Sequence, residues 1–192
     1  MLCWSKPDKT AVDAFLALQQ NETFSYGDVG ASRKEGSPAG FIVDHNRIQL
    51  GQGAATFDRA KRAIRQWKMF DMPWIELHYA DTPIEPRATV AVQVRHLGFH
   101  SLNAARVVYT IEEYGPISRF GFAYGTLANH AESGEERFSV EFHEADQSVW
   151  YDLYAFSQPK TLARLAYPFT RSLQKRFARD SKSAMQRAVE AS

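Results

Sequence analysis

The sequence holds a single cysteine, Cys3, in 192 residues. Neither an intramolecular disulfide nor a cysteine-based zinc site can be built from one thiol, and its isolation fits a reducing compartment. Long hydrophobic runs are missing too. No window approaches the ~20 apolar residues of a membrane span, and the opening MLCWSKPDKT lacks the apolar core of a secretory signal. A soluble, cytoplasmic protein is expected. Charge of one sign is not in excess: 23 Lys and Arg face 22 Asp and Glu, a formal net charge of +1. That balance removes the global electrostatic case for nucleic acid or for strongly acidic substrates. There is no G-x-S-x-G elbow, no P-loop, no internal repeat and no low-complexity tract.

What is present is apolar and aromatic. Hydrophobic residues make up 44% of the chain and aromatics 13%, enough for a globular core that removes roughly 70% of the unfolded surface from water. Charge is uneven along the chain. Residues 81–152 carry 11 Asp and Glu against 5 Arg and no Lys, whereas 160–187 carry 8 Lys and Arg against Asp180 alone.

Periodicity orders the chain. Residues 8–20 have Val12, Phe15 and Leu16 on one helical face, with Thr10 and Asp13 resembling a capping box. GASRKEGSPAG (30–40) is a loop and 41–50 a strand. Residues 54–70 place Phe57, Ala60, Ile64 and Trp67 on one face of an amphipathic helix. The period then switches to two, predicting strands at 74–79, 89–96, 105–112, 118–125, 135–143 and 148–156. Such short connections imply an antiparallel meander. From Leu162 to about Val189 the helical period returns through Leu165, Phe169, Leu173, Phe177, Ala184 and Ala188, with a kink expected at Pro168. The order predicts an α+β fold in which a strongly curved antiparallel sheet of about seven strands grips a long C-terminal helix. This is the helix-grip arrangement of START domains and the birch-pollen allergen. Residues 1–20 would be a helical extension and 21–189 the core of a single domain spanning 1–192. Folds of this type commonly enclose an apolar cavity between sheet and helix.

GQGAAT (51–56) follows a strand and opens a helix, as a dinucleotide fingerprint does, but Thr56 replaces the third glycine. No alternation of strands and helices follows, so the glycines are read as a tight strand-to-helix turn. The stretch GFAYGTLANHAESGEERFSVEF (121–142) gathers His130, Glu132, Glu135 and Glu136 around a turn. Its H-x-E-x-x-E-E spacing matches no metal motif, and successive strand residues point to opposite faces. Glu135 and Glu136 therefore cannot share one pocket without a bulge. No metal and no cofactor are expected.

Alternation permits a finer reading. Phe138, Val140 and Phe142 share inward parity with Glu136, and Phe120, Phe122 and Tyr124 do so on the preceding strand. On the last strand either Val149, Tyr151, Leu153 and Ala155 or Trp150, Asp152, Tyr154 and Phe156 point inward; both sets carry a phenol, and the first is favoured. A buried Glu136 would have its pKa raised by desolvation and could serve as a general acid or base, with Tyr124 or Tyr151 hydrogen-bonded to it. The competing reading pairs Glu136 with Arg106 or a neighbour at the sheet rim. His130 would lie near the pocket mouth; the other histidines are read as scattered strand residues. Arg164, Arg171, Lys175, Arg176, Arg179, Lys182 and Arg187 make the last helix basic. Such a run is ordinarily its solvated face, and contact with an anionic membrane surface is the lesser reading.

The segments FSYGDVGASR (24–33), PAGFIVDHNRIQLGQGAATFDRAKRAIRQWKMFDMPW (38–74), FGFAYGTLANHAESGEERFSVE (120–141), VWYDLYAFSQP (149–159) and LARLAYPFTRSLQKRFARDS (162–181) closely resemble the domain-of-unknown-function family nineteen-ninety. The resemblance implies one unit over 20–188 and transfers no catalytic residue. The expected function is binding of a small apolar or aromatic ligand, walled by Trp67, Phe122, Tyr124, Phe138, Val140, Tyr151 and Phe169, with Glu136 and His130 as polar anchors. Two alternatives stand beside it. One is a metal-independent lyase, cyclase or isomerase using Glu136 or His130 as acid/base; the other is a structural or interaction domain with a filled core.

Overall fold

The computed structural model describes residues 1–96, 98–128, 130, 132–159 and 167–191. Along the chain run β1 (Leu2–Cys3), α1 (Lys9–Gln19), β2 (Ile42–Gln52), α2 (Ala54–Arg65), β3 (Ile75–His78), β4 (Thr89–His96), β5 (Phe99–Glu113), β6 (Ile117–Thr126), β7 (Glu132–His143), β8 (Ser148–Pro159) and α3 (Tyr167–Glu190). Seven strands form one curved antiparallel sheet in the order β2-β8-β7-β6-β5-β4-β3, and β1 adds to β5 as an eighth. The α+β helix-grip architecture expected from the element order is therefore the observed one.

Two details differ from the sequence reading. The cap of α1 is Asp8, whose carboxylate accepts from the Ala11 N–H at 2.8 Å, not Thr10. Asp is the stronger capping residue, and its position sets the first turn. The second helix ends at Arg65, short of residue 70, because Trp67 adopts a left-handed φ of 54° before a 3-10 turn at Lys68–Phe70. That turn directs the indole into the core, where its N–H donates to the Thr82 carbonyl at 3.0 Å. The GQG segment acts as the expected turn. A bulge lies between Gln49 and Gly51, and Gly53, with φ of 83°, caps α2. Pro168 lies in the first turn of α3, where a missing N–H leaves no helical bond unmade. Leu162, Arg164 and Leu165 lie outside the described residues.

The main core sits between the concave face of the sheet, α2 and the second half of α3. Ile64, Trp67, Phe122, Phe138, Val140, Tyr151 and Met185 are buried in it. The outer face of the sheet is covered as well. Val12 and Phe15 of α1 pack on Leu102, Ala104 and Leu127, while Tyr26 packs with Tyr154 and Phe156. Gly125 makes this close approach possible, since a Cβ there would lie 2.1 Å from the Tyr26 hydroxyl oxygen. With both faces buried, β8 carries apolar side chains at both parities. Val149, Tyr151 and Leu153 face the main core as expected, and Tyr154 and Phe156 face the outer layer.

Candidate functional site

Helix α3 divides into two halves. Ala184, Met185 and Val189 of the second half are buried against the sheet and α2, whereas Phe169 to Phe177 of the first half border a pocket of about 800 Å³. Apolar walls come from Phe70, Trp74, Tyr124, Leu153 and Phe177. Its polar lining includes Asp44 from β2, Glu132 and Glu136 from β7, and Arg171 and Gln174 from α3, with Lys175 and the N-terminal Met1 also bordering it.

Strand period places the carboxyls. Glu132 and Glu136 share the concave parity of Phe138, while Glu135 turns to the convex face. There Glu135 accepts hydrogen bonds from the Tyr26 hydroxyl (2.8 Å), the Gly30 N–H (2.7 Å), the Ser32 N–H (3.0 Å) and the Ser32 hydroxyl. It fastens the 24–35 loop to the sheet. The two adjacent acids thus have separate tasks, as their alternation requires.

Glu136 accepts from the Tyr124 hydroxyl at 2.8 Å, and among the described residues it has no cationic partner. Desolvation pushes its pKa up to about 8; the Tyr124 bond opposes the rise, and the charges of Glu132 and Asp44 add to it. The rim reading falls, because Arg106 instead donates to the carbonyl oxygens of Gln19, Gln20 and Glu22. Burial beside Glu136 pushes the Tyr124 phenol well up as well, so it stays a donor. Glu132 is also pushed up, to about 7, chiefly by desolvation, with the Gln174 bond and Arg171 opposing. Gln174 spans the pocket, donating to Glu132 (2.9 Å) and to the Ser157 hydroxyl (3.0 Å) while accepting from Arg171 (3.0 Å). Arg171 grips Asp44 with both terminal nitrogens, one at 2.6 Å. That bidentate pair neutralises the Arg171 guanidinium.

Of the residues expected at the site, Glu136, His130, Tyr124 and Phe169 border the pocket. His130 accepts at Nδ1 from the Glu132 N–H at 3.0 Å, and the Phe169 ring is partly exposed at the mouth. Trp67, Phe122, Phe138, Val140 and Tyr151 do not border it. They form the packed layer beneath, with Phe138 5.1 Å from Tyr124 and 5.6 Å from Phe70 between ring centroids. Tyr151 donates to or accepts from Ser181 at 2.8 Å rather than reaching Glu136. Sequence reasoning gathered Glu132 with His130, Glu135 and Glu136 at the turn without choosing it as an anchor, although it shares parity with Glu136, and did not select Asp44, Gln174, Phe70 or Trp74. Gln174 and Asp44 carry no local signal, because helix and edge strand meet only in three dimensions. No group of three or more His, Cys, Asp or Glu side chains among the described residues is placed to hold a metal ion.

A curved antiparallel sheet closed over a long C-terminal helix defines a helix-grip protein of the birch-pollen-allergen and START type. The fold is similar to the crystal structure of Ara h 8.0201, with a TM-score of 0.54 at 13% identity, covering 80% of this chain and 100% of that one. Human STARD10 is a more remote match, with a TM-score of 0.45 at 13% identity over 96% of this chain and 80% of that one. The chain belongs to the family described as Domain of unknown function (DUF1990), whose profile matches residues 25–184. Its relatives include a UPF0548 protein of Dictyostelium discoideum, 35% identical over 208 residues, covering 98% of this chain and 96% of the relative. A UPF0548 protein of Deinococcus radiodurans is 35% identical over 195 residues, covering 95% of this chain and 96% of the relative.

Proposed function

We propose that this protein binds a small molecule with an apolar or aromatic body in the pocket between the sheet and the first half of α3. One observation carries the reading: a space of about 800 Å³ walled by aromatic rings holds two inward-facing carboxyls with no ion-pair partner among the described residues. Ligand sites combine apolar walls with a few oriented polar groups in this way. Tyr124, Phe169, Glu136 and His130 are its proposed contacts, and Trp67, Phe122, Phe138, Val140 and Tyr151 support them from below. The chain from 1 to 192 is proposed to act as one domain, with α1 docked on the outer face, in the cytoplasm.

The test is fluorescence titration with N-phenyl-1-naphthylamine, a neutral apolar probe. Saturable binding of one probe per chain is expected. Ala155→Trp, which places an indole in the pocket, should weaken binding by at least about tenfold, roughly 1.4 kcal/mol. Probe binding that is unsaturable, or unchanged in Ala155→Trp, contradicts the reading.

A second reading is favoured by the Tyr124–Glu136 hydrogen bond and by burial that pushes the Glu136 carboxyl up to about 8. A carboxyl poised there suits general acid/base work on a bound ligand, in a lyase, cyclase or isomerase without a metal. Loss of turnover in Glu136→Gln with ligand still bound would favour the enzyme over the binder.

A further inference from the structure

We propose that the ligand of this pocket carries a cationic nitrogen, a protonated amine set on an apolar or aromatic body. The inference rests on the pocket being a ligand site and specifies which chemistry it accepts.

Three features of the geometry converge on it. First, Glu132 and Glu136 both face the cavity from one strand and neither is paired with Lys, Arg or His among the described residues. Each receives one neutral donor, Gln174 for Glu132 and the Tyr124 hydroxyl for Glu136. Neutral donors satisfy part of a carboxylate's accepting capacity and none of its charge. Second, the cations that border the pocket are engaged or lie at its exposed rim. Arg171 is held bidentately by Asp44, His45 meets Asp152 at 2.6 Å, the Met1 ammonium donates to the Leu102 carbonyl at 2.7 Å, and Lys175 borders the space from an exposed position on α3. His130 has its Nδ1 occupied by the Glu132 backbone N–H. Third, the remaining walls are rings. Phe70, Trp74, Tyr124, Phe169 and Phe177 border the same space, with Phe70 and Tyr124 stacked at 6.0 Å. Aromatic faces attract a cation through their quadrupole, most strongly where water is excluded.

Carboxyls and π-faces favour the same partner. An anionic ligand would meet two acids with only Lys175, at the exposed rim, to offset them among the described residues, and a neutral ligand would leave two half-buried carboxyls without a countercharge. Burial and the other acids around them push both groups to hold their protons. A bound ammonium would favour their ionised forms, drawing those protons off and taking the carboxylates as its countercharges.

The test uses three probes of one shape and different charge: 4-phenylbutylamine, 4-phenylbutan-1-ol and 4-phenylbutanoate, titrated by calorimetry into the full chain at pH 7.5. The amine should bind at least about tenfold more tightly than the alcohol, and the carboxylate more weakly than either. In Glu132→Gln/Glu136→Gln the amine's advantage should fall below about twofold, with far-UV circular dichroism reporting whether the variant is folded. The wild-type series decides the matter even if that variant does not fold. Alcohol and carboxylate binding as tightly as the amine overturns the cationic ligand and leaves the pocket standing. No binding by any of the three overturns both.

Discussion

Glu136 is held where its charge is expensive. Folding takes it from an ordinary carboxylate pKa to about 8, so between about pH 4.5 and 8 the folded chain keeps a proton that the unfolded chain has released. Stability therefore declines as pH rises through that window, and replacement by Gln removes the decline. Glu136→Gln should match the parent near pH 4.5 and exceed it at pH 8.5 by on the order of 2 kcal/mol, read from chemical unfolding at the two pH values. Equal stability at both would mean that the carboxyl is solvated. At this scale the sequence was informative where period two applied. It put Glu136, Phe138 and Tyr124 on one face and sent Glu135 to the other. It could not say how deep each residue lies on that face, which is why Phe122, Phe138 and Val140 appeared as walls although they are the layer beneath.

Among the elements, α3 does two jobs along its length. Its second half is part of the core, with Met185 fully buried, while Leu173 in the first half borders open space. Truncation should separate the halves. Met185→Ala is expected to lose about 3 kcal/mol, because a buried side chain leaves a cavity behind. Leu173→Ala, which enlarges a space already present, should lose less than about 1 kcal/mol. Comparable losses from thermal or urea unfolding would show that the helix packs equally along both halves. The helical face itself was legible from Phe169, Leu173, Phe177, Ala184 and Ala188. The division was not, because spacing reports which side faces inward and nothing about how closely the opposing sheet approaches. In the same way, the 54–70 pattern gave the buried face of α2 correctly but hid the break at Trp67, a left-handed backbone that propensity disfavours and tertiary burial of the indole imposes.

For the whole molecule, the element order was enough to reach the architecture. Short polar turns between alternating strands leave no room for parallel crossovers, and a lone long amphipathic helix at the end has only the concave face of the sheet to bury against. What order alone could not supply was the outer layer. Residues 30–40 read as a Gly/Ser/Pro-rich loop, yet Glu135 and Tyr109 bind its Gly30 and Ser32 to the convex face. That second layer explains why β8 is apolar at both parities. It also means that the sheet is braced from outside while its concave side remains open next to the first half of α3. On α3, Arg176 lies over Trp74, and both Arg176 and Arg179 meet Asp180. No helix among the described residues is long and apolar enough to cross a membrane.

The most direct measurement is a crystal structure of the chain with N-phenyl-1-naphthylamine bound. If the pocket is the functional site, the naphthalene ring should lie among Phe70, Tyr124 and Phe177 with its amine nitrogen toward Glu136. A structure in which side chains close that space and the probe sits only on the outer surface would contradict the ligand-binding account.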